Sequence, residues 1–105
     1  MQIGILTITI HLHAIASLKD KRKIIKSLLE RLRSRFNCAA AEIEGQDNKQ
    51  LARVGLAVVS NDARMVNRQL DLIADFVHQD GRFAVVRIGR EIFGANDDYP
   101  LDSMR

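Results

Sequence analysis

Apolar and polar residues alternate along four segments of the chain. In "IGILTITIHL" (residues 3–12), even positions from Leu6 to Leu12 are apolar, and odd positions from Thr7 to His11 are polar. A period of two with many β-branched residues predicts a half-buried strand. "ARVGLAVVS" (52–60) and "FAVVRIGREIF" (83–93) repeat the alternation. The short "CAAAEIE" (38–44) precedes the turn-forming cluster "GQDNKQ", which favours a fourth, short strand.

Two segments show helical spacing instead. Apolar residues in the first recur every three or four positions: Ile24, Ile25, Leu28, Leu29, Leu32 and Phe36. Ser17 is the predicted N-cap, with Asp20 as its capping-box partner, and Asn37 is a left-handed stop. The second stripe comprises Met65, Val66, Leu70, Ile73, Phe76 and Val77. Ser60 or Asn61 is expected to cap that helix, and Gly81 to end it with a positive φ.

The order βαββαβ predicts a ferredoxin-like α+β sandwich, with a four-stranded antiparallel sheet and both helices on one face. The segments 3–12 and 52–60 are expected to be the central strands. The predicted core is Leu6, Ile8, Ile10, Ile25, Leu28, Leu32, Leu56, Val58, Leu70, Ile73, Val77, Val86 and Ile88. The open face should carry Ile3, Ile5, Thr7, Thr9, His11, Val85 and Arg87. Residues 1–93 form this domain, and 94–105 are expected to be a mobile tail.

Charge is concentrated on the first helix. The chain has 105 residues and a formal charge of +3, yet residues 17–37 hold eight of its sixteen Lys and Arg against Asp20 and Glu30. On a helical projection four cations form a ridge beside the apolar stripe, with Lys23 next to it: Lys19, Arg22, Lys26 and Arg33. Arg31 and Arg35 fall on the opposite flank. The ridge is either a phosphate-binding surface or the solvated side of an amphipathic helix.

Several short motifs resemble the YlxP-like family of small bacterial proteins of unknown function. They are "SLKDKR" (17–22), "LRSRFN" (32–37), "AE" (41–42) and "VVSND" (58–62), and the resemblance runs over residues 1–93. It implies a ferredoxin-like fold and, often, a gene neighbourhood among translation and ribosome-maturation factors. The expected partner is therefore structured RNA or a ribosomal particle. Lys49 stands where family members often carry an aromatic residue.

Other candidate chemistry is sparse. His11 and His13 lack a third ligand in the sequence pattern, so no metal is expected. Cys38 has no adjacent base, and the acidic pair Glu42 and Glu44, expected on one strand face, is set in no readable pocket. The glycines are scattered and form no phosphate loop. We therefore expect no enzyme and no cofactor.

Two further expectations concern surroundings and partners. A single cysteine suits a reducing compartment, and the apolar N-terminus is too short for a membrane span and lacks a signal-peptide pattern. A cytoplasmic protein without membrane contact is expected. The central strands carry no aromatic residues for base stacking, so an RNA-recognition-motif surface is disfavoured. A homodimeric interaction module, formed through the open sheet face or an edge strand, is the alternative to RNA binding.

Overall fold

The computed structural model describes residues 1–95 and contains the six predicted elements in the predicted order. These are β1 (Gln2–Leu12), α1 (Leu18–Arg35), β2 (Ala39–Glu44), β3 (Leu51–Ser60), α2 (Ala63–His78) and β4 (Phe83–Gly94). The sheet order is β2-β3-β1-β4, and every neighbouring pair is antiparallel. The predicted ferredoxin-like layout is confirmed. Of the predicted tail, 94–105, all but the first two residues lie outside the described part of the chain.

The core lies between the sheet and the two helices. Side chains at even positions of β1 and β3 point into it, together with the stripes of α1 and α2. The buried apolar residues are Leu6, Ile8, Ile10, Leu12, Ile25, Leu28, Leu32, Ala40, Ala52, Val54, Leu56, Val58, Val66, Leu70, Ile73, Val77 and Phe83. Eleven of the thirteen predicted core residues are in this set, and Ile88 packs against it while half-buried.

A β-bulge in β4 makes the remaining core prediction wrong. Thr9 of β1 pairs with Arg87, but Ile10 pairs with Val85, so Val86 is an extra residue in the ladder. The insertion shifts the alternation by one position. Val86 is consequently 57% exposed rather than buried, and Val85 lies on the helix side of the sheet rather than on the open face.

The first helix begins at the predicted N-cap, but the Asp20 side chain makes no capping-box hydrogen bond within residues 1–95, and the helix ends differently. The Ser17 side chain accepts a hydrogen bond from the Asp20 amide at 3.1 Å, which confirms the N-cap. At the other end, Phe36 is extended and donates its amide to the Leu32 carbonyl at 2.9 Å. Asn37 is therefore not a left-handed stop, because the chain turns directly into β2.

The second helix is capped by Asp62, not by Ser60 or Asn61. Its carboxylate accepts the Arg64 amide at 2.8 Å. Met65, predicted in the buried stripe, is exposed, and Gly81 does not adopt a positive φ. Within residues 1–95, neither helix is long and apolar enough to cross a membrane.

Because α2 packs closely on β1, we expect that adding a side chain at Gly4 reduces the stability of the protein. A Cβ added there would lie 2.3 Å from Val66 Cγ1 and 2.9 Å from Leu70 Cδ1. Gly4→Ala should therefore destabilise the protein by about 1–3 kcal/mol, as overpacking does. Gly89→Ala is the matched control in the neighbouring strand, since its Cβ would meet nothing nearer than Thr7 Cβ at 3.8 Å. Urea unfolding measures both, and equal stability of the two variants would contradict the packing argument.

Candidate nucleic-acid interface

The first half of α1 presents the cations that the sequence predicts to bind phosphate. All five predicted cations are exposed, and four of them have no hydrogen-bond or ion-pair partner within residues 1–95. We call these four the basic surface of α1: Lys19, Arg22, Lys23 and Lys26. They span two turns, about 10 Å of helix. Glu30, one turn beyond Lys26, is exposed and pairs with none of them. The charge of this surface is therefore not compensated by contacts in the described fold.

Arg33, the fifth predicted member, has a contact inside the fold. Its Nη2 donates to the Ala40 carbonyl at 2.5 Å, which joins the last turns of α1 to the edge strand β2. Burial raises the pKa of the Cys38 thiol, and the positive charge of Arg33 lowers it by a smaller amount. Arg33 thus belongs to the α1–β2 contact, and a phosphate-binding role for it stays a prediction.

Lys21 is the residue of this helix that sequence reasoning missed. It lies within the basic run, yet only 1% of it is exposed. Its Nζ donates to the Gly45 carbonyl and, at 3.1 Å, to the Leu51 carbonyl. It also pairs with Glu42 Oε2 at 3.1 Å. The sequence does contain an indication that Lys21 is buried. It lies four residues before Ile25, which places both residues on the same face of the helix.

The Lys21 contact connects α1 to the β2–β3 turn. Gly45 has φ 88°, and a Cβ there would approach the Leu51 carbonyl oxygen to 2.8 Å, so this turn requires glycine. Glu42 is mostly buried, and its Oε2 makes no hydrogen bond of good geometry. The ammonium of Lys21 therefore compensates both the carboxylate and two backbone carbonyls. The exposed Lys49 lies in the same turn.

The opposite flank of α1 is occupied by contacts with α2. Arg31 and Arg35 each place their guanidinium 5.3 Å from the centre of the Phe76 ring. Phe36 packs edge-on against the same ring at 5.6 Å. Cation–π contacts of this kind contribute about 0.5–1 kcal/mol each at exposed sites. These two arginines therefore hold the helices together, in contrast to the basic surface.

The Asp80–Arg82 pair ties the α2–β4 turn to α1. Arg82 donates to Asp80 through Nε at 2.9 Å and Nη2 at 2.6 Å, and its Nη1 donates to Ser27 at 3.2 Å. The Arg82 hydrogen bonds lower the pKa of Asp80 against an opposing effect of burial. Arg31 adds a more distant contact of 3.9 Å to the same carboxylate.

The remaining candidate groups do not converge on a reactive site. Glu42 and Glu44 were predicted on one strand face, which is wrong: a bulge separates them, so Glu42 meets Lys21 and Glu44 meets Arg53 at 2.8 Å on the open face. His11 and His13 lie with ring centres 6.3 Å apart. In residues 1–95 no group of three or more His, Cys, Asp or Glu side chains is placed to hold a metal ion.

Comparison with known proteins identifies relatives of unknown function. Residues 3–90 match the sequence profile of a family described as "Protein of unknown function (DUF503)". The chain is also similar to the "Uncharacterized protein YlxP" of Bacillus subtilis (strain 168), with 34% identity over 61 residues. That alignment covers 58% of this chain and 66% of the relative, just under two thirds of its length.

Removing the buried ammonium should be costly. Lys21→Met keeps an unbranched side chain, one heavy atom shorter, but removes the ammonium from Glu42 and from the carbonyls of Gly45 and Leu51. We expect a loss of about 3–5 kcal/mol of unfolding free energy, typical of a broken buried ion pair. Lys23→Met, an exposed change on the same helix, should alter stability by less than about 0.5 kcal/mol. Chemical denaturation of both variants is the measurement, and similar values for the two would refute a structural role for Lys21.

Asp80 should contribute stability that depends on pH. Because the folded pKa lies below the unfolded one, the contribution is complete above the unfolded pKa and disappears as the pH falls through the folded pKa. Asp80→Asn should cost about 1–3 kcal/mol at pH 7. The difference in unfolding free energy between wild type and Asp80→Asn should become smaller below roughly pH 4, near the usual Asp pKa. Asp75→Asn, an exposed change on α2, controls for charge, and a gap that persists unchanged to pH 3 would disprove the pairing effect.

Proposed function

We propose that this chain, which belongs to the DUF503 family of proteins of unknown function, binds the phosphate groups of structured RNA through the basic surface of α1 and catalyses no reaction. The observation that carries this proposal is the division of cations along the helix. Lys21 is buried, and Arg31, Arg33 and Arg35, although exposed, each contact another part of the fold. Lys19, Arg22, Lys23 and Lys26 are exposed and have no partner among residues 1–95.

Rigidity strengthens the case for a phosphate contact. The basic surface lies on a helix that is held at its N-terminal turn by Lys21 and at its C-terminal turns by Arg33 and the Phe76 contacts. Cations on a fixed scaffold lose less conformational entropy on binding than cations on a mobile tail. About 10 Å of helix matches the axial length of a few nucleotides of one strand.

The shape of the RNA, rather than its sequence, is what this surface would recognise. Lys and Arg contacts to phosphates position a protein on a duplex but do not read bases. Base stacking needs aromatic platforms, and the open-face positions of β1 and β3 carry Ile, Thr, His, Leu, Arg, Gly, Ala and Val. Phe83 is buried on the helix side, and Phe93, although exposed on the open face, lies at the end of the edge strand β4, away from the two central strands. A stem or junction in RNA, free or within a ribosomal particle, is the substrate class that fits.

A non-catalytic role in the cytoplasm completes the proposal. The acidic residues near the turn are engaged in ion pairs with Lys21 and Arg53, so they do not form a free acid–base pair. Burial raises the pKa of Cys38, which disfavours the nucleophilic thiolate. The single cysteine is compatible with a reducing compartment.

Charge reversal on the basic surface tests the proposal. The double variant Arg22→Glu/Lys26→Glu should weaken binding to a fluorescent RNA stem-loop by at least about tenfold at 50 mM salt, measured by anisotropy. Wild-type affinity should fall with salt on a log–log slope of roughly −3, and the variant slope should be shallower by about 2, because two phosphate contacts are lost.

The matched control is Arg64→Glu/Arg68→Glu on α2. These two exposed residues have the same four-residue spacing and give the same change of net charge. The control should bind like wild type. Equal weakening in both double variants would show that net charge alone attracts RNA, and absence of wild-type binding at 50 mM salt would refute the proposal.

A further inference from the structure

The sheet face turned away from the helices carries a cluster of accessible apolar side chains. Val59 is 61% exposed, Ile43 and Phe93 are also exposed, and Ile3 and Ile5 are half-buried. Register places them together: Ile3 pairs with Val59 on one side and with Phe93 on the other. Glu91, the β4 partner of Ile5, is exposed and borders this cluster. An apolar cluster with a polar rim is a feature of interaction surfaces.

The middle of this face is built from small residues. Thr7 pairs with Gly55 in β3 and Gly89 in β4, and Gly55 pairs in turn with Ala41 in β2. This row crosses all four strands, and its largest side chain is a threonine. Ile43 leans over Gly55, with Cγ2 3.1 Å from where a Cβ would be. A second sheet at the usual distance of about 10 Å would therefore meet Ile43 and Thr7 as the larger side chains at the centre.

We propose that a second copy of this chain covers the open face, related by a two-fold axis that runs parallel to the strands between β1 and β3. Such an axis exchanges the two central strands and keeps each row of the ladder opposite itself. Ile5 would then lie over Ala57 of the second copy, and Ile3 over its Val59, because these residues are register partners. A large side chain meets a small one at the Ile5 position, so the face is complementary to itself.

Charge complementarity supports the same axis. The next row contains Glu44, Arg53, Thr9 and Arg87 in β2, β3, β1 and β4. Exchange of the outer strands sets Arg87 of one copy opposite Glu44 of the other, twice by symmetry. Within residues 1–95 of one chain Arg87 has no hydrogen-bond or ion-pair partner. Glu44 binds Arg53 but remains 65% exposed, so its carboxylate is able to accept a further donor.

The geometry of sheet packing allows this contact. The outer strands lie roughly 7 Å to either side of the axis, and aligned sheets cross at about 30°. The crossing displaces the outer strands by a few ångströms along their length, which long Arg and Glu side chains can span. The helices, on the other face of each sheet, stay clear of the interface. The dimer is thus independent of RNA binding by α1.

Sedimentation velocity of the full chain at about 10–100 µM tests the proposal. The wild-type protein should sediment as a dimer, with a fitted mass of twice the chain mass of 11.8 kDa. Val59→Lys should give a monomer, because it buries an ammonium against Ile3 of the second copy. Leu72→Lys, at an exposed apolar position on α2, is the matched control and should remain a dimer. A monomeric wild type, or equal loss of the dimer in both variants, would overturn the proposal.

A charge swap tests the axis itself. Arg87→Glu and Glu44→Arg should each raise the dimer dissociation constant by about tenfold or more, since each places like charges opposite one another at two symmetric contacts. The double variant should recover most of the wild-type constant. Within one chain β3 and β1 separate the two positions, so only a contact between copies explains recovery.

Two results of the swap would reject this arrangement. The first is a double variant whose loss of dimer stability equals the sum of the losses in the two single variants. The second is a loss of dimer stability in Arg68→Glu equal to that in Arg87→Glu, since Arg68→Glu makes the same charge change on α2. Arg22→Glu/Lys26→Glu should remain dimeric even though it loses RNA binding. Failure of the dimer and failure of RNA binding are therefore separate outcomes.

Discussion

A buried ammonium ion is the constraint on which the arrangement of α1 depends. Moving Lys21 into water would leave Glu42 without its ion-pair partner and would remove a hydrogen-bond donor from the carbonyls of Gly45 and Leu51. Breaking such a cluster costs more than most single contacts in a small domain contribute. The cluster joins three elements at one point: the first turn of α1, the edge strand β2 and the turn that leads to β3. It therefore fixes the rotation of the helix about its own axis.

That rotation decides which cations of α1 are free. With Lys21 inward, Arg22 and Lys26 point away from the sheet, while Arg31 and Arg35 lie over Phe76 of α2. A helix rotated by one position would bury a different set and expose the stripe of Ile25 and Leu28. The positive residues of this run thus divide into structural and available groups for a geometric reason. Their number in the sequence does not reveal the division.

The sequence predicts the layered architecture well because burial imposes simple periods on it. Alternation in β1 and β3 and the stripes of both helices follow from facing one core, and the structure confirms them. The two bulges, at Val86 and between Glu42 and Glu44, could not be predicted, because an extra ladder residue leaves composition and local propensity unchanged. Lys21 was missed because a pattern of apolar residues treats lysine as solvated, although its position in the stripe indicates burial.

The two proposed surfaces lie on opposite layers, and this placement has a consequence for how they would act together. Sheets packed face to face direct both copies of α1 outward, on opposite sides of the dimer. One duplex could then contact only one basic surface, while a folded RNA with two stems could contact both. Binding of the second stem would be intramolecular, so weak individual contacts of three or four phosphates would combine into a stronger total affinity for compact RNA than for an isolated stem.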